Sequence, residues 1–195
     1  MRKMMEKQME PSPVQAFLIL LLGSRNYEPV KGKTWLQKEM FLIAKNTPLK
    51  EEVYFEPHLY GPYSETVDSE LENLEILGLV AENGEIELTE RGKEVYANLL
   101  KITSAEKLEL IEEIKEGLND MSEDELLAYI YFNFPETTKE AVRFENIKKK
   151  RAKLAMRLYE KEKVSLGKAS EIAGMDIKNF MDYLRDKGLR VPLSR

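Results

Sequence analysis

The C-terminal fold is decided by residues 165–184, which read SLGKASEIAGMDIKNFMDYL. Gly174 suits the turn of a helix-turn-helix, because glycine adopts a positive φ without steric cost. Two short helices that cross beside such a turn need small or apolar residues where they approach. Ser170 takes the small position, and the positions expected to be buried are Ala169, Ala173, Met175, Phe180 and Tyr183. The spacing predicts a helix-turn-helix, with an ordinary helix–loop–helix packing unit as the alternative.

The charge around this motif favours contact with DNA. Residues 138–195 contain 16 Lys or Arg and 8 Asp or Glu, although the whole chain has a net charge of −5. Because basic side chains neutralise phosphates, we expect double-stranded DNA to bind this region. The candidate DNA-binding residues are Lys148, Lys149, Lys150, Arg151, Lys153, Arg157, Lys168, Lys178 and Arg185.

Two observations limit that expectation. The second helix of the motif would present Asp176 and Asp182 outward, together with Ile177, Lys178, Met181 and Arg185, and carboxylates face phosphates unfavourably. The basic run at residues 148–151 is equally consistent with a solvated start of a helix that covers about residues 141–163.

Residues 1–101 predict a winged helix with a two-stranded wing. Asn83-Gly84 is a strong hairpin signal between two short apolar runs. Gly23 is expected to end the first helix as a left-handed cap. The expected elements are helices at about 13–23, 35–46, 64–77 and 90–100, strands at 79–81 and 86–88, and a turn-rich loop at 56–63.

Residues 102–137 predict an acidic helical connector. Ser104 and Ser122 each begin an amphipathic helix, and Glu125 completes a capping box with Ser122. A linker is expected at residues 135–138, where the charge changes sign. The chain is therefore expected to be mainly α-helical, with a winged-helix domain at 1–101, an acidic helical connector at 102–137 and a basic helix-turn-helix domain at 138–195.

The third helix of the expected winged helix carries an acidic stripe. Its carboxylates recur at spacings of three, four and three, and residues 64–77 contain no Lys or Arg. Since a helix in the major groove needs neutral or basic residues near phosphates, we do not expect this helix to bind DNA. The stripe is either a solvated face or a partner-binding face for a toxin or the chain's own basic unit. Its members are Glu65, Asp68, Glu72 and Glu75.

The sequence gives little support for a catalytic or metal-binding site. The chain has no cysteine and one histidine, which excludes disulfides, thiolate sites and multi-histidine metal sites. Gly32-Lys33-Thr34 resembles the end of a P-loop, but Tyr27 stands where the upstream glycine is required. His58 has no nucleophile or orienting carboxylate at a recognisable spacing. We expect no enzyme activity, cofactor or metal, and an unidentified hydrolase is the remote alternative.

The longest apolar run, residues 14–22, is too short to span a bilayer. Basic residues precede it, but Pro11 and Pro13 interrupt the pattern of a signal peptide. We therefore expect a cytoplasmic protein without a membrane partner. The absence of cysteine suits a reducing compartment, and a chain rich in Lys, Glu and Ile with only three Gln hints at a thermophile.

Two parts of the chain resemble known prokaryotic families. Residues 152–192, with KVSLGKASEIAGM at 163–175 and GLRVP at 188–192, resemble short helix-turn-helix proteins that are often found beside putative toxins and are regarded as antitoxin-like. KTWLQK at 33–38, YGPYS at 60–64 and LTERG at 88–92 are similar to archaeal winged-helix proteins and to the Panacea antitoxin-type domain. These resemblances imply a DNA-binding transcriptional regulator of antitoxin type. We expect it to be a homodimer, with a toxin or another protein as a further partner.

The competing class is a non-enzymatic protein–protein interaction module. In that interpretation, both helix-turn-helix units serve packing and partner binding.

Overall fold

The computed structural model describes residues 10–189, and this part of the chain is mainly α-helical with two small antiparallel sheets of two strands each. The helices are α1 Pro13–Tyr27, α2 Lys33–Asn46, α3 Glu65–Ile76, α4 Glu90–Leu100, α5 Ala105–Asn119, α6 Glu123–Asn133, α7 Phe144–Glu160, α8 Leu166–Ala173 and α9 Ile177–Asp186. The strands are β1 Glu56–His58, β2 Gly61–Tyr63, β3 Val80–Glu82 and β4 Ile86–Leu88, and short 3-10 helices cover Pro48–Glu51 and Pro135–Thr137.

The chain divides into two compact units. Unit 1 is Met1–Phe55 with Ser64–Asn119, and unit 2 is Glu56–Tyr63 with Asp120–Arg195. The segment predicted as an acidic connector, residues 102–137, is shared between them. Its first helix, α5, packs on α1 and α2 in unit 1, whereas its second helix, α6, packs on α7 in unit 2.

Unit 1 has one apolar core to which both α1 and α2 contribute. Residues 36–44 of α2 are all buried, and α1 packs on α3, α4, α5 and β4. The buried faces of α1 and α3 pack in the same core. The predicted Asn83-Gly84 hairpin is confirmed: β3 pairs with β4, and Gly84 takes the positive φ of 88° that this turn needs. Val30 adds a bridge to Ile86 on the edge of this hairpin.

The end of α1 differs from the expectation. Gly23 is not a left-handed cap; its missing side chain makes room for the ring of Tyr96, which lies 2.3 Å from where a Cβ would stand. The left-handed residues follow it instead: Arg25, Asn26 and Tyr27 have φ of 52°, 56° and 62°. The helix therefore ends in a left-handed turn formed entirely by residues with side chains.

Unit 2 contains a hairpin that the sequence analysis described as a loop. β1 pairs with β2 across residues 56–63, and Pro57 lies opposite Pro62. In a hairpin with a two-residue loop this pair is a non-hydrogen-bonded one, so two residues without an N–H fit there. The backbone N–H of Val142 donates to the carbonyl of Leu59 at 3.0 Å, which ties the hairpin into the unit.

The expected linker at 135–138 is also part of unit 2. Pro135–Thr137 forms a 3-10 turn, and the side chain of Thr137 is buried and donates to the carbonyl of Phe134 at 2.8 Å. The helix expected at 141–163 is shorter, from Phe144 to Glu160.

Two helical glycines of unit 1 give a matched test of its packing. A Cβ at Gly92 would lie 2.1 Å from the carbonyl oxygen of Leu79, whereas nothing lies within 4 Å of a Cβ at Gly117. We expect Gly92→Ala to lower the free energy of unfolding by about 1–3 kcal/mol, because the new methyl group would force the backbone at Leu79 to move. Gly117→Ala should raise it by about 0.5–1 kcal/mol. Urea unfolding followed by fluorescence of Trp35, the only tryptophan, measures both. Equal effects of the two substitutions would contradict this packing.

Burial of an acidic side chain in α2 predicts a pH dependence. Burial raises the pKa of the Glu39 carboxyl from 4.5 to about 8, against the opposing charge of Lys115. The folded state therefore keeps a proton that the unfolded state loses, and stability contributed by this group falls as pH rises from about 4.5 to about 8. The stability advantage of Glu39→Gln over the native protein should grow across this range and then level off. Urea unfolding at several pH values tests this, and a constant difference would contradict it.

Candidate nucleic-acid interface

Helices α8 and α9 are joined by a tight turn at residues 174–176. Ser165 caps α8 by accepting from the backbone N–H of Lys168 at 3.2 Å. Gly174 ends that helix in the left-handed conformation, with φ of 70°, as the sequence predicted. Asp176 then caps α9 by accepting from the backbone N–H of Asn179 at 2.9 Å. The start of α8, the end of α8 and the start of α9 thus each have a local cause in the sequence.

The buried side of this pair follows most of the expected positions. Ala169, Ala173 and Phe180 are buried, while Met175 and Tyr183 are half-buried. The expectation that Met181 points outward is wrong: its side chain is buried on the same face of α9 as Phe180. The outer side of α9 consequently presents Ile177, Lys178, Asn179, Asp182, Arg185 and Asp186.

Arg151, predicted to bind DNA, contacts other parts of unit 2. Its guanidinium donates to the carbonyl of Ile172 at 2.6 Å and to that of Glu171 at 2.9 Å, at the C-terminal end of α8. It also lies 4.1 Å from the centre of the Phe132 ring, and a Cβ at Gly174 would meet it at 2.6 Å. Burial lowers the pKa of Arg151 from its usual value. The Arg151 side chain therefore links α7 to the turn between α8 and α9.

Four other predicted DNA-binding residues have partners within unit 2. Three face carboxylates and one lies over an aromatic ring. The contacts are Lys150–Asp124 at 3.0 Å, Lys168–Glu171 at 2.7 Å, Arg185–Asp182 at 2.8 Å, and Lys148 with the Phe144 ring at 5.8 Å.

The remaining four predicted residues are exposed, and their side chains form no ion pair or hydrogen bond within residues 10–189. Lys149, Lys153 and Arg157 recur every four residues and form one stripe on α7, opposite its buried residue Ile147. Lys178 lies in the first turn of α9. We call Lys149, Lys153, Arg157 and Lys178 the open cations.

The two carboxylates that seemed unfavourable for DNA have structural partners. Asp176 is the N-cap of α9, and Asp182 is paired with Arg185. A helix N-terminus favours a negative group, so Asp176 compensates the end of α9 rather than adding a bare charge to the surface.

The acidic stripe of α3 belongs to unit 1. It lies away from the buried side chains of Val67, Leu71 and Leu74. Glu65 and Glu72 are exposed, and Asp68 pairs with Lys33 at 3.1 Å. Partial burial and the charge of Glu82 raise the pKa of Glu75.

Two further residues bear on catalytic or nucleotide chemistry, His58 and Gly32. His58 stacks on Tyr63 with ring centres 4.8 Å apart. Gly32 precedes α2 as its N-cap and offers no side-chain hydrogen bond. Between residues 10 and 189, no group of three or more His, Cys, Asp or Glu side chains is arranged to hold a metal. No helix in that part of the chain is both long and apolar enough to cross a membrane.

Residues 128–195 match an uncharacterised protein family, UPF0175. The match begins inside α6, includes α7–α9, and contains the segment at 152–192 that resembles antitoxin-like proteins; residues 190–192 of that segment lie outside the described residues. The chain gave no match among curated proteins. The similarity to a family thus falls on the helices that carry the open cations.

Arg151 and Lys149 differ in role although both are basic residues of α7, which gives a matched pair. Arg151→Ala removes charge-assisted hydrogen bonds to two carbonyls and should lower the free energy of unfolding by about 1.5–3 kcal/mol. Lys149→Ala removes an exposed charge and should stay within about 0.5 kcal/mol of the native value. Urea unfolding followed by circular dichroism gives both numbers. A small effect of Arg151→Ala would show that its contacts are dispensable.

Proposed function

We propose that unit 2 binds duplex DNA. In this proposal the protein is a transcriptional regulator that catalyses no reaction and uses no cofactor. The observation that carries the proposal is the α8–turn–α9 pair, which is capped at the start of both helices and at the end of α8, on the same unit as the four open cations. A helix-turn-helix of this kind places the start of its second helix toward the bases. Lys178 occupies that position, and the backbone N–H groups around it favour an anion.

The stripe on α7 supplies the sequence-independent part of the proposed binding. Residues four apart on a helix are about 6 Å apart along its axis, so Lys149, Lys153 and Arg157 extend over about 12 Å. Side chains of this type contact phosphates and set the register of a protein on DNA. We infer that three phosphate contacts come from this stripe.

Unit 1 has a different role in the proposal. Its order of elements, α1, the Val30 bridge, α2, α3 and the β3–β4 hairpin, supports a winged helix. The helix that would enter the major groove is α3, which has no basic residue. We therefore assign the acidic stripe to a protein partner, with a basic toxin as the candidate that the antitoxin-type resemblance favours. A cytoplasmic homodimer is part of the same proposal.

One observation favours the alternative, a protein–protein interaction module. Unit 2 has an exposed apolar patch in which Val142 is 63% and Leu59 is 44% exposed, and the hydrogen bond between their backbones holds the two together. Exposed apolar residues of this kind are typical of partner-binding surfaces when they form a contiguous patch.

Salt dependence tests the DNA-binding proposal. Binding of a mixed-sequence duplex, measured by fluorescence anisotropy from about 50 mM salt upward, should weaken steeply because each neutralised phosphate contributes about −0.9 to the slope of log affinity against log salt. Lys149→Ala, Lys153→Ala and Arg157→Ala combined should make that slope shallower by about 2.7. Lys178→Ala tests α9 separately and should weaken binding as well.

The control removes the same charge from unit 1. Lys93→Ala, Lys101→Ala and Lys107→Ala combined should leave both the affinity and the slope close to the native values. Absence of duplex binding by the native protein at about 50 mM salt, where nonspecific binding is strong, would refute the proposal. Equal losses in the two triple variants would refute the role of α7.

A further inference from the structure

The connection between α1 and α2 is strained. Arg25, Asn26 and Tyr27 are consecutive, and all three have positive φ. Residues with side chains adopt this conformation rarely, and its cost must be offset by surrounding contacts. The left-handed segment at residues 25–27 therefore depends on contacts from neighbouring side chains.

The holding contacts come from the last turn of α5. The Lys115 side chain is fully buried, and its ammonium donates to the carbonyls of Leu21 at 2.9 Å, Leu22 at 3.3 Å and Ser24 at 3.2 Å. These are the last carbonyls before the strained residues, and a cation is favourable at a helix C-terminus. Lys115 therefore satisfies the end of α1.

Two further residues of the same turn hold the segment that follows. Glu116 pairs with Arg25 at 3.1 Å, and Arg25 also pairs with Glu28 at 2.8 Å. Asn119 donates to Glu28 at 2.8 Å and to the carbonyl of Pro29 at 2.9 Å. The last turn of α5 thus contacts the connection on both sides of its left-handed residues.

A competing partner for Lys115 lies in α2. Glu39 is completely buried, and neither of its carboxyl oxygens has a hydrogen-bond partner within residues 10–189. Its electrostatic neighbours are Lys115, Glu28 and Lys31, and those of Lys115 are Glu39, Glu28 and Arg25. A buried acceptor without a donor is costly whether the carboxyl is charged or neutral.

We propose that Lys115 is a conformational latch that alternates between the carbonyls at the end of α1 and the carboxyl of Glu39. Either position leaves one buried set of acceptors without its donor, so the two arrangements compete. In the described arrangement the carbonyls are satisfied and Glu39 is not. In the other, Glu39 is satisfied and the last carbonyls of α1 lose their donor, so the contacts of Glu116 and Asn119 alone hold the strained connection. The last turn of α5 ends at Asn119, the last residue of unit 1, so the latch controls the mobility of this end of α5.

Native-state hydrogen exchange of the full chain at constant pH tests the latch. The reporter amides are Glu28, which donates to the carbonyl of Arg25, and those of the last turn of α5; the reference amides are Leu71 and Leu74 in α3. Glu39→Met removes both acceptor oxygens at similar size and should slow exchange of the reporters by roughly tenfold, the effect of losing one charge-assisted hydrogen bond from the open state. Glu39→Gln keeps an acceptor and should leave reporter exchange within about twofold of the native rate.

The native protein supplies a second measurement that needs no variant. At low urea the reporters should exchange at a rate independent of denaturant, as in local opening, while the reference amides should follow global unfolding. The latch is refuted if the reporters exchange only through global unfolding. It is also refuted if Glu39→Met and Glu39→Gln slow reporters and reference amides alike, because that pattern means a uniform gain in stability.

Discussion

A helix that ends inside a protein must find donors for its last carbonyls, and this constraint shapes both units of the molecule. In unit 2, Arg151 reaches from α7 to the carbonyls of Glu171 and Ile172 at the end of α8. In unit 1, Lys115 reaches from α5 to the carbonyls at the end of α1. Each cation is positioned by one helix and satisfies another, so each fixes the geometry of a turn that it does not belong to.

This use of cations changes how the basic charge of the C-terminal region is understood. Of nine basic residues that the sequence offers for DNA, one closes the α8–α9 turn, three balance carboxylates and one lies over a ring. The proposed binding therefore depends on the four open cations. The open cations differ from the other five in that no carboxylate, carbonyl or ring within the described residues already contacts their side chains.

Local signals in the sequence predicted the elements that local chemistry determines. Gly174 and Asn83-Gly84 mark turns whose backbone conformation favours glycine, and Ser122 with Glu125 forms the capping box that was expected. The acidic stripe lies off the buried side of α3, as its helical period predicted, with Glu65 and Glu72 exposed and Asp68 and Glu75 half-buried.

The features that the sequence did not predict depend on contacts between distant residues. The hairpin at 56–63 was described as a loop because Pro57 and Pro62 argue against strands, and only their mutual pairing makes both acceptable. The spacing of residues in α7 could have predicted the packing role of Arg151. This residue lies four positions after Ile147 and three before Leu154, on the buried face of the helix. Nothing in the sequence predicts the division of residues 102–137 between two units, since both helices of this segment are acidic and amphipathic.

Amide chemical-shift mapping by NMR, with a duplex added to the isotope-labelled protein at low salt, distinguishes DNA binding from the alternative residue by residue. Binding through unit 2 predicts shifts at Lys149, Lys153, Arg157 and Lys178 with none along α3. Absence of shifts on α7 and α9 would contradict the assignment of DNA binding to this unit.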